Sequence, residues 1–194
     1  MTSFILASAS PRRKDLLLLA EIPFEVIVSS TDESYPDALP IAEVPVYIAN
    51  QKAIAVANKV AETQENKNAC IIAADTIVVI DDMILGKPKD REDAVLSLTK
   101  LAGKTHQVIT GVSIFWKNEI ISFSETTLVE FHNLSNDQIV YYVDHYKPYD
   151  KAGSYAIQEW IGVVGIKCIQ GDFYNVMGLP VSKLVQKLKQ LSLL

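Results

Sequence analysis

Three observations predict a three-layer α/β fold built on a mixed sheet. Helical and strand-like segments alternate along the 194 residues. ACIIAADTIVVID, at 69–81, is an almost unbroken apolar run, the pattern of a strand buried on both faces. HQVITGVSIFWK (106–117) and EIISFSETTLVEF (119–131) follow one another with only a tight KNE connection, so at least one strand pair is a hairpin.

The elements follow in order. FILAS (4–8) reads as a short buried strand running into Ser10-Pro11, an N-cap followed by proline at the first helical position. The helix continues through RRKDLLLLAE. FEVIVSS (24–30) is a second strand, and TDESYPDALP a polar loop. A long alanine-rich helix spans Ile41 to Val60, with Pro45 near its start. After the run at 69–81, LGKPKD is a loop, and a helix extends from about Asp90 to Leu101, stopping at Gly103. The hairpin follows. SNDQIVYYVDHY carries a capping signal at Ser135 and is helical, IGVVGIKCIQGD (161–172) is strand-like, and GLPVSKLVQKLKQLSLL closes the chain as a helix. The length predicts one domain over 1–194, with room for two lobes.

Composition excludes several classes. With 21% charged and 49% apolar residues and a net charge of −5, the chain has no broad basic surface for nucleic acid. No stretch approaches the roughly 20 apolar residues of a membrane span. A charged leader followed by an apolar run is missing from the N-terminus, so a cytoplasmic location is expected. Cys70 and Cys168 lie in apolar runs and are expected to be buried free thiols. AGKT at 102–105 ends like a P-loop but has Leu98 where the first glycine belongs. His106, His132 and His145 lack zinc spacing.

One stretch runs against local electrostatics. In ILASASPRRKDLL (5–17), Arg12, Arg13 and Lys14 occupy the first turn of a helix, where the dipole disfavours cations by about 0.3–1 kcal/mol each. A strand ending at Ser8, a helix N-terminus and bidentate guanidinium groups together make an anion site, and bound polyphosphate would offset the misplaced charge. On this reading Arg13 finds its favourable partner only in the complex, and its loss leaves the free protein no less stable.

Asp75 and Thr76 lie inside an apolar strand, where a carboxylate must be paired or bound to a metal. A strand–turn return is expected to bring Lys87 of LGKPKD beside Asp75. TDE at 31–33 adds Asp32 and Glu33, with an exposed polar loop as the plainer alternative. DKAGSYAIQ (150–158) offers Lys151 and the Gln158 amide, whose paired donor and acceptor suit a base edge.

In this order, LASASPRRKDLL, Lys52 in QKA, AADTIVV, LGKPKDREDA, DKAGSYAIQ and GDFYNVMGLP resemble the Maf family of nucleoside triphosphate pyrophosphatases, from about residue 4 to residue 185. The succession SxSPRR, AADT and GKP is a specific signature. The resemblance implies a long mixed sheet flanked by helices, with two lobes around a deep cleft, as in inosine triphosphate pyrophosphatases. It also implies hydrolysis of a nucleoside triphosphate to the monophosphate and pyrophosphate with a divalent cation, Mg²⁺ or Mn²⁺. Thr76 and Gln158 are similar to the branch acting on dTTP and UTP rather than on 7-methyl-GTP.

By the same resemblance Asp75 matches the general base, and Arg12, Thr76 and Gln158 match positions linked to substrate choice. Ser8, Arg13, Glu33, Lys52 and Lys87 match polar positions lining the family's cleft, with Lys52 and Lys87 expected to assist catalysis. Glu33 and Asp75 both stand as metal ligands. The family's YGIQG is here Tyr155-Ala156-Ile157-Gln158-Glu159, two glycines having been replaced. A homodimer is left open. Two other readings compete: a nucleotide-sensing regulator of cell division without turnover, and a pyrophosphatase for purine nucleotides such as ITP or 7-methyl-GTP. An unpaired Asp75 carboxylate would speak against the sensor, since it repels a polyphosphate.

Overall fold

A computed structural model describes residues 2–63 and 68–194. Strands are β1 (Phe4–Leu6), β2 (Glu25–Val26), β3 (Cys70–Ile80), β4 (Met83–Leu85), β5 (Thr105–Trp116), β6 (Glu119–Phe131) and β7 (Ile166–Gln170). Helices are α1 (Pro11–Leu19), α2 (Val44–Thr63), α3 (Arg91–Leu101), α4 (Asn136–Tyr146), α5 (Trp160–Gly165), α6 (Phe173–Met177) and α7 (Val181–Gln190). Among the described residues the sheet has seven strands, in the order β2-β1-β3-β5-β6-β7, with β4 paired to β3. It is mixed: β1 runs parallel to β2 and β3, while β3–β4 and β6–β7 are antiparallel.

Two compact units divide the chain. The first takes in the residues up to Asp75, Thr110–Glu125 and Gly178–Leu194; the second takes in Thr76–Ile109 and Thr126–Met177. In the first, Ala49, Ala53, Val56 and Val60 form one buried stripe of α2 at helical spacing. Ala53, Val56 and Val60 pack with Ile5 and Ala7 near β1 and with Ala69, Ile71 and Ala73 near and on β3. Small side chains let helix and sheet approach closely, and Gly111 of β5 carries this furthest. A Cβ there would lie 2.3 Å from the Pro45 carbonyl carbon and the Val46 nitrogen at the start of α2.

In the second unit, Ala94, Leu98 and Leu101 of α3 and Ile139, Tyr142 and Val143 of α4 meet Val78, Ile80, Val108, Val129 and Phe131 of the strands. Local signals explain why these helices start where they do. The Asp90 carboxylate accepts the Asp93 N–H at 2.8 Å, and Ser135 and Gln138 form a reciprocal capping box on α4. Lys117 and Asn118, the two residues between β5 and β6, both have positive φ (51° and 63°), the turn that matches strand twist.

Several elements differ from expectation. β2 covers two residues rather than 24–30, because its partner β1 is itself only three residues long. Asp81 and Asp82, also at positive φ, make a second two-residue turn, so the chain returns at once as β4. Residues 161–165 are helical rather than extended, and only Ile166–Gln170 pairs with β6. Cys70 is buried, but Cys168 is exposed on β7, the last strand of the sheet, and both are free. Among the described residues, no helix is long and apolar enough to cross a membrane.

Candidate active site

The site begins at the N-terminus of α1. Unlike α3 and α4, this helix has no side-chain cap: the Ser10 hydroxyl caps nothing, and no acidic residue lies in the first turn. Arg13 is nonetheless buried, at 9% exposure, among groups that suit it. Its Nε donates to the Gly178 carbonyl at 2.7 Å and its Nη1 to Ser8 Oγ at 3.1 Å. Ser8 Oγ also accepts the Ser10 N–H at 3.3 Å.

This corrects one expectation. Arg13 does not wait for phosphate to find a partner; it ties the β1–α1 connection to the segment ahead of α7. Burial presses its pKa below the ordinary arginine value and Arg12 adds to that, while the negative charges of Asp75 and Glu33 oppose it. The two carboxylates are thus within electrostatic reach of Arg13. Arg12 itself is half-buried.

The second part of the cluster joins α2 to β3. Lys52 Nζ lies 2.7 Å from Asp75 Oδ1 and 2.8 Å from Glu33 Oε1, with the Lys52 and Asp75 side chains only 15% and 13% exposed. Asp75 stands at the one place where the otherwise buried β3 opens. A carboxylate there requires a partner, and Lys52 supplies it. Asp75 is therefore not the unpaired carboxylate that the argument against a sensor assumed. The strand return expected for Lys87 exists as β4, pairing Leu85 with Val78. Lys87 lies two residues beyond β4, exposed to solvent.

Ser8, Arg12, Arg13, Glu33, Lys52 and Asp75 all fall in the first compact unit. Thr76, half-buried on β3, together with Lys87 and the exposed Gln158, falls in the second. Nothing in the sequence pairs Gly178 with Arg13. The two are 165 residues apart, and a backbone acceptor leaves no mark in a sequence pattern.

Among the described residues, no group of three or more His, Cys, Asp or Glu side chains gathers as a metal cage. What is present is a pair of carboxylates, Asp75 and Glu33, drawn together on one ammonium. Hard oxygen donors in that number fit Mg²⁺ or Mn²⁺, since Mg²⁺ usually takes one or two carboxylates and completes its shell with water and substrate phosphates.

A protein of Parabacteroides distasonis named dTTP/UTP pyrophosphatase is 50% identical over 186 residues, covering 95% of this chain and 94% of that one. Another of the same name, from Phocaeicola vulgatus, is 50% identical over 188 residues, covering 96% and 95%. Among solved structures, the Staphylococcus aureus Ham1 protein matches 67% of this chain and 72% of its own, at 17% identity and a TM-score of 0.47. A family model described as Maf-like protein matches residues 3–191. With a family model matching nearly its full length and relatives 50% identical over almost all of it, the chain belongs to the Maf-like protein family.

Proposed function

We propose that this protein is a nucleoside triphosphate pyrophosphatase that hydrolyses dTTP and UTP to the monophosphate and pyrophosphate, modified pyrimidine nucleotides included. The names of relatives at 50% identity over almost the whole chain support the reaction and substrate. The observation that carries the reading is the Lys52 ammonium held between Asp75 and Glu33, whose charges also reach the buried Arg13. Here a general base and phosphate-binding cations share one compact unit.

In this reading the Asp75 carboxylate, one oxygen of which is engaged by Lys52, takes a proton from water through the other, Oδ2. The water oxygen attacks the α-phosphorus, the α–β anhydride bond breaks, and its electron pair leaves on pyrophosphate. Phosphoryl transfer relies on positioning and charge neutralisation more than on covalent chemistry. Arg12, Arg13, Lys52 and Lys87 supply the positive charge, and the Ser8 hydroxyl helps hold the Arg13 guanidinium in place. Thr76 and Gln158 read the base, the amide offering a donor and an acceptor to a pyrimidine edge. A divalent cation held by Asp75 and Glu33 would add neutralisation of phosphate charge. Action in the cytoplasm, without a nucleic-acid partner, belongs to the same proposal.

The test is to incubate the protein with dTTP, UTP, CTP, GTP, ATP, ITP and 7-methyl-GTP in Mg²⁺ or Mn²⁺ and identify the products. The expected result is monophosphate and pyrophosphate from dTTP and UTP, with little ATP turnover. Orthophosphate with a diphosphate product places attack at the γ-phosphorus and overturns the mechanism. Tight binding without products favours the sensor, and preference for ITP or 7-methyl-GTP favours the purine enzyme.

A further inference from the structure

Gln158 stands on a small device that the proposed reaction does not explain. Ile157 and Gln158 are the central residues of a turn closed by the Glu159 N–H, which donates to the Ala156 carbonyl at 3.1 Å. Both ends of that turn meet one phenol. Tyr142 on α4, fully buried, accepts the Ala156 N–H at 3.2 Å through its hydroxyl oxygen and donates its proton to Glu159 Oε2. The other Glu159 oxygen faces Lys151 Nζ at 3.5 Å, and Lys151 in turn reaches Asp150 at 2.7 Å.

Tyr142 is itself held by its place in the core and by stacking on Tyr146, with ring centroids 5.0 Å apart. Behind the turn, Gly162 passes so close that a Cβ there would lie 1.7 Å from the Ile157 carbonyl oxygen. The turn is gripped on three sides, and Gln158 is exposed at its crest.

We propose that Tyr142 and Glu159 are positioning residues that set where the Gln158 amide is presented, and so set the discrimination between bases. The proposal rests on the reading that Gln158 contacts the base. A side-chain amide discriminates only if its donor and acceptor are fixed against those of the base. A residue free to swing satisfies several bases almost equally. A hydroxyl bridging both ends of a turn removes that freedom, and the charge on Glu159, shared with Lys151, strengthens the hydrogen bond it accepts.

The test compares kcat/KM for dTTP and CTP in four variants, with amide hydrogen exchange over 156–159 and thermal unfolding measured alongside. Tyr142→Phe removes only the hydroxyl. It is expected to lower the dTTP:CTP ratio by about tenfold or more, mostly through KM for dTTP, and to speed exchange in the turn. Glu159→Ala should do the same, while Glu159→Gln, which keeps an acceptor for Tyr142, restores most of the ratio. An unchanged ratio in both Tyr142→Phe and Glu159→Ala overturns the proposal, as does an equal loss of turnover on both nucleotides, which marks a merely structural role. Gln158→Ala separates the failures. If it changes the ratio and the other two do not, the clasp is wrong. If it too is silent, the reading of Gln158 has failed and the proposal falls with it.

Discussion

The Lys52 ammonium lies 2.7 Å from Asp75 Oδ1, a helix side chain closing on the one carboxylate within an otherwise apolar strand. The same nitrogen is 2.8 Å from Glu33, which comes from the loop after β2. One positive charge thus organises two negative ones, and Arg13 of α1 sits within their field. What happens when a member is removed depends on whether its role is chemical or structural.

Asp75→Asn keeps the size and an acceptor for Lys52 but removes the base. Turnover on dTTP is expected to fall by about 10²–10⁴-fold, while binding of a non-hydrolysable dTTP analogue survives or tightens because a repulsion has gone. Single-turnover release of pyrophosphate and calorimetric titration measure the two. Near-normal turnover moves the base elsewhere, with Glu33 the next candidate.

Arg13→Ala should cost stability before any ligand is added. The substitution strips a guanidinium donor from both the Gly178 carbonyl and the Ser8 hydroxyl in a buried setting. Hydrogen bonds from charged groups contribute about 1.5–3 kcal/mol each, so a loss of at least about 2 kcal/mol is expected, or about 4–8 °C in Tm for a chain of this size. Arg13→Lys keeps the charge without the planar fork and should recover little of it. Unchanged melting would show that the two bonds are worth nothing in solution.

Acid should weaken the second unit through His106. Its ring is 2% exposed, edge-on to Phe131 and Tyr155, with Nε2 2.7 Å from the Tyr155 hydroxyl. Burial pushes its pKa down to about 4 from the ordinary 6.5, and raises that of the Tyr155 phenol. Between those two values the unfolded chain holds a proton that the folded one refuses, so stability is retained above about pH 6.5 and lost as pH falls toward 4. The full loss is about 3 kcal/mol. Urea unfolding at several pH values measures the slope, and in His106→Gln that slope should shrink by one proton's worth.

The parts of the fold legible in the sequence are those with local causes. Asp90 and Ser135 announce α3 and α4 because a capping side chain reaches only two or three residues along the chain. β3 shows itself as an apolar run. By contrast, IGVVG has strand composition, yet it becomes the helix α5, where Gly162 packs tightly against the Ile157 carbonyl. β4 hides behind two aspartates that look like loop until their positive φ makes them a turn. At the candidate site the residue types were legible from the family's motifs, but not the pairings. Lys52 and Asp75 are 23 residues apart, and Arg13 and Gly178 165. No periodicity records which of several cations a buried carboxylate will meet.

The two sulfurs have unequal fates. Cys70 is wholly enclosed on β3, its thiol pushed up to about 12 by burial, whereas Cys168 faces outward on β7. The natural protein therefore carries a ready-made attachment point: a maleimide dye or spin label joins at Cys168 alone, with no engineered cysteine and no residue of the candidate site disturbed. Cys70 accepts a second label only once β3 has come apart, so the number of adducts on each molecule records whether it was folded when the reagent arrived.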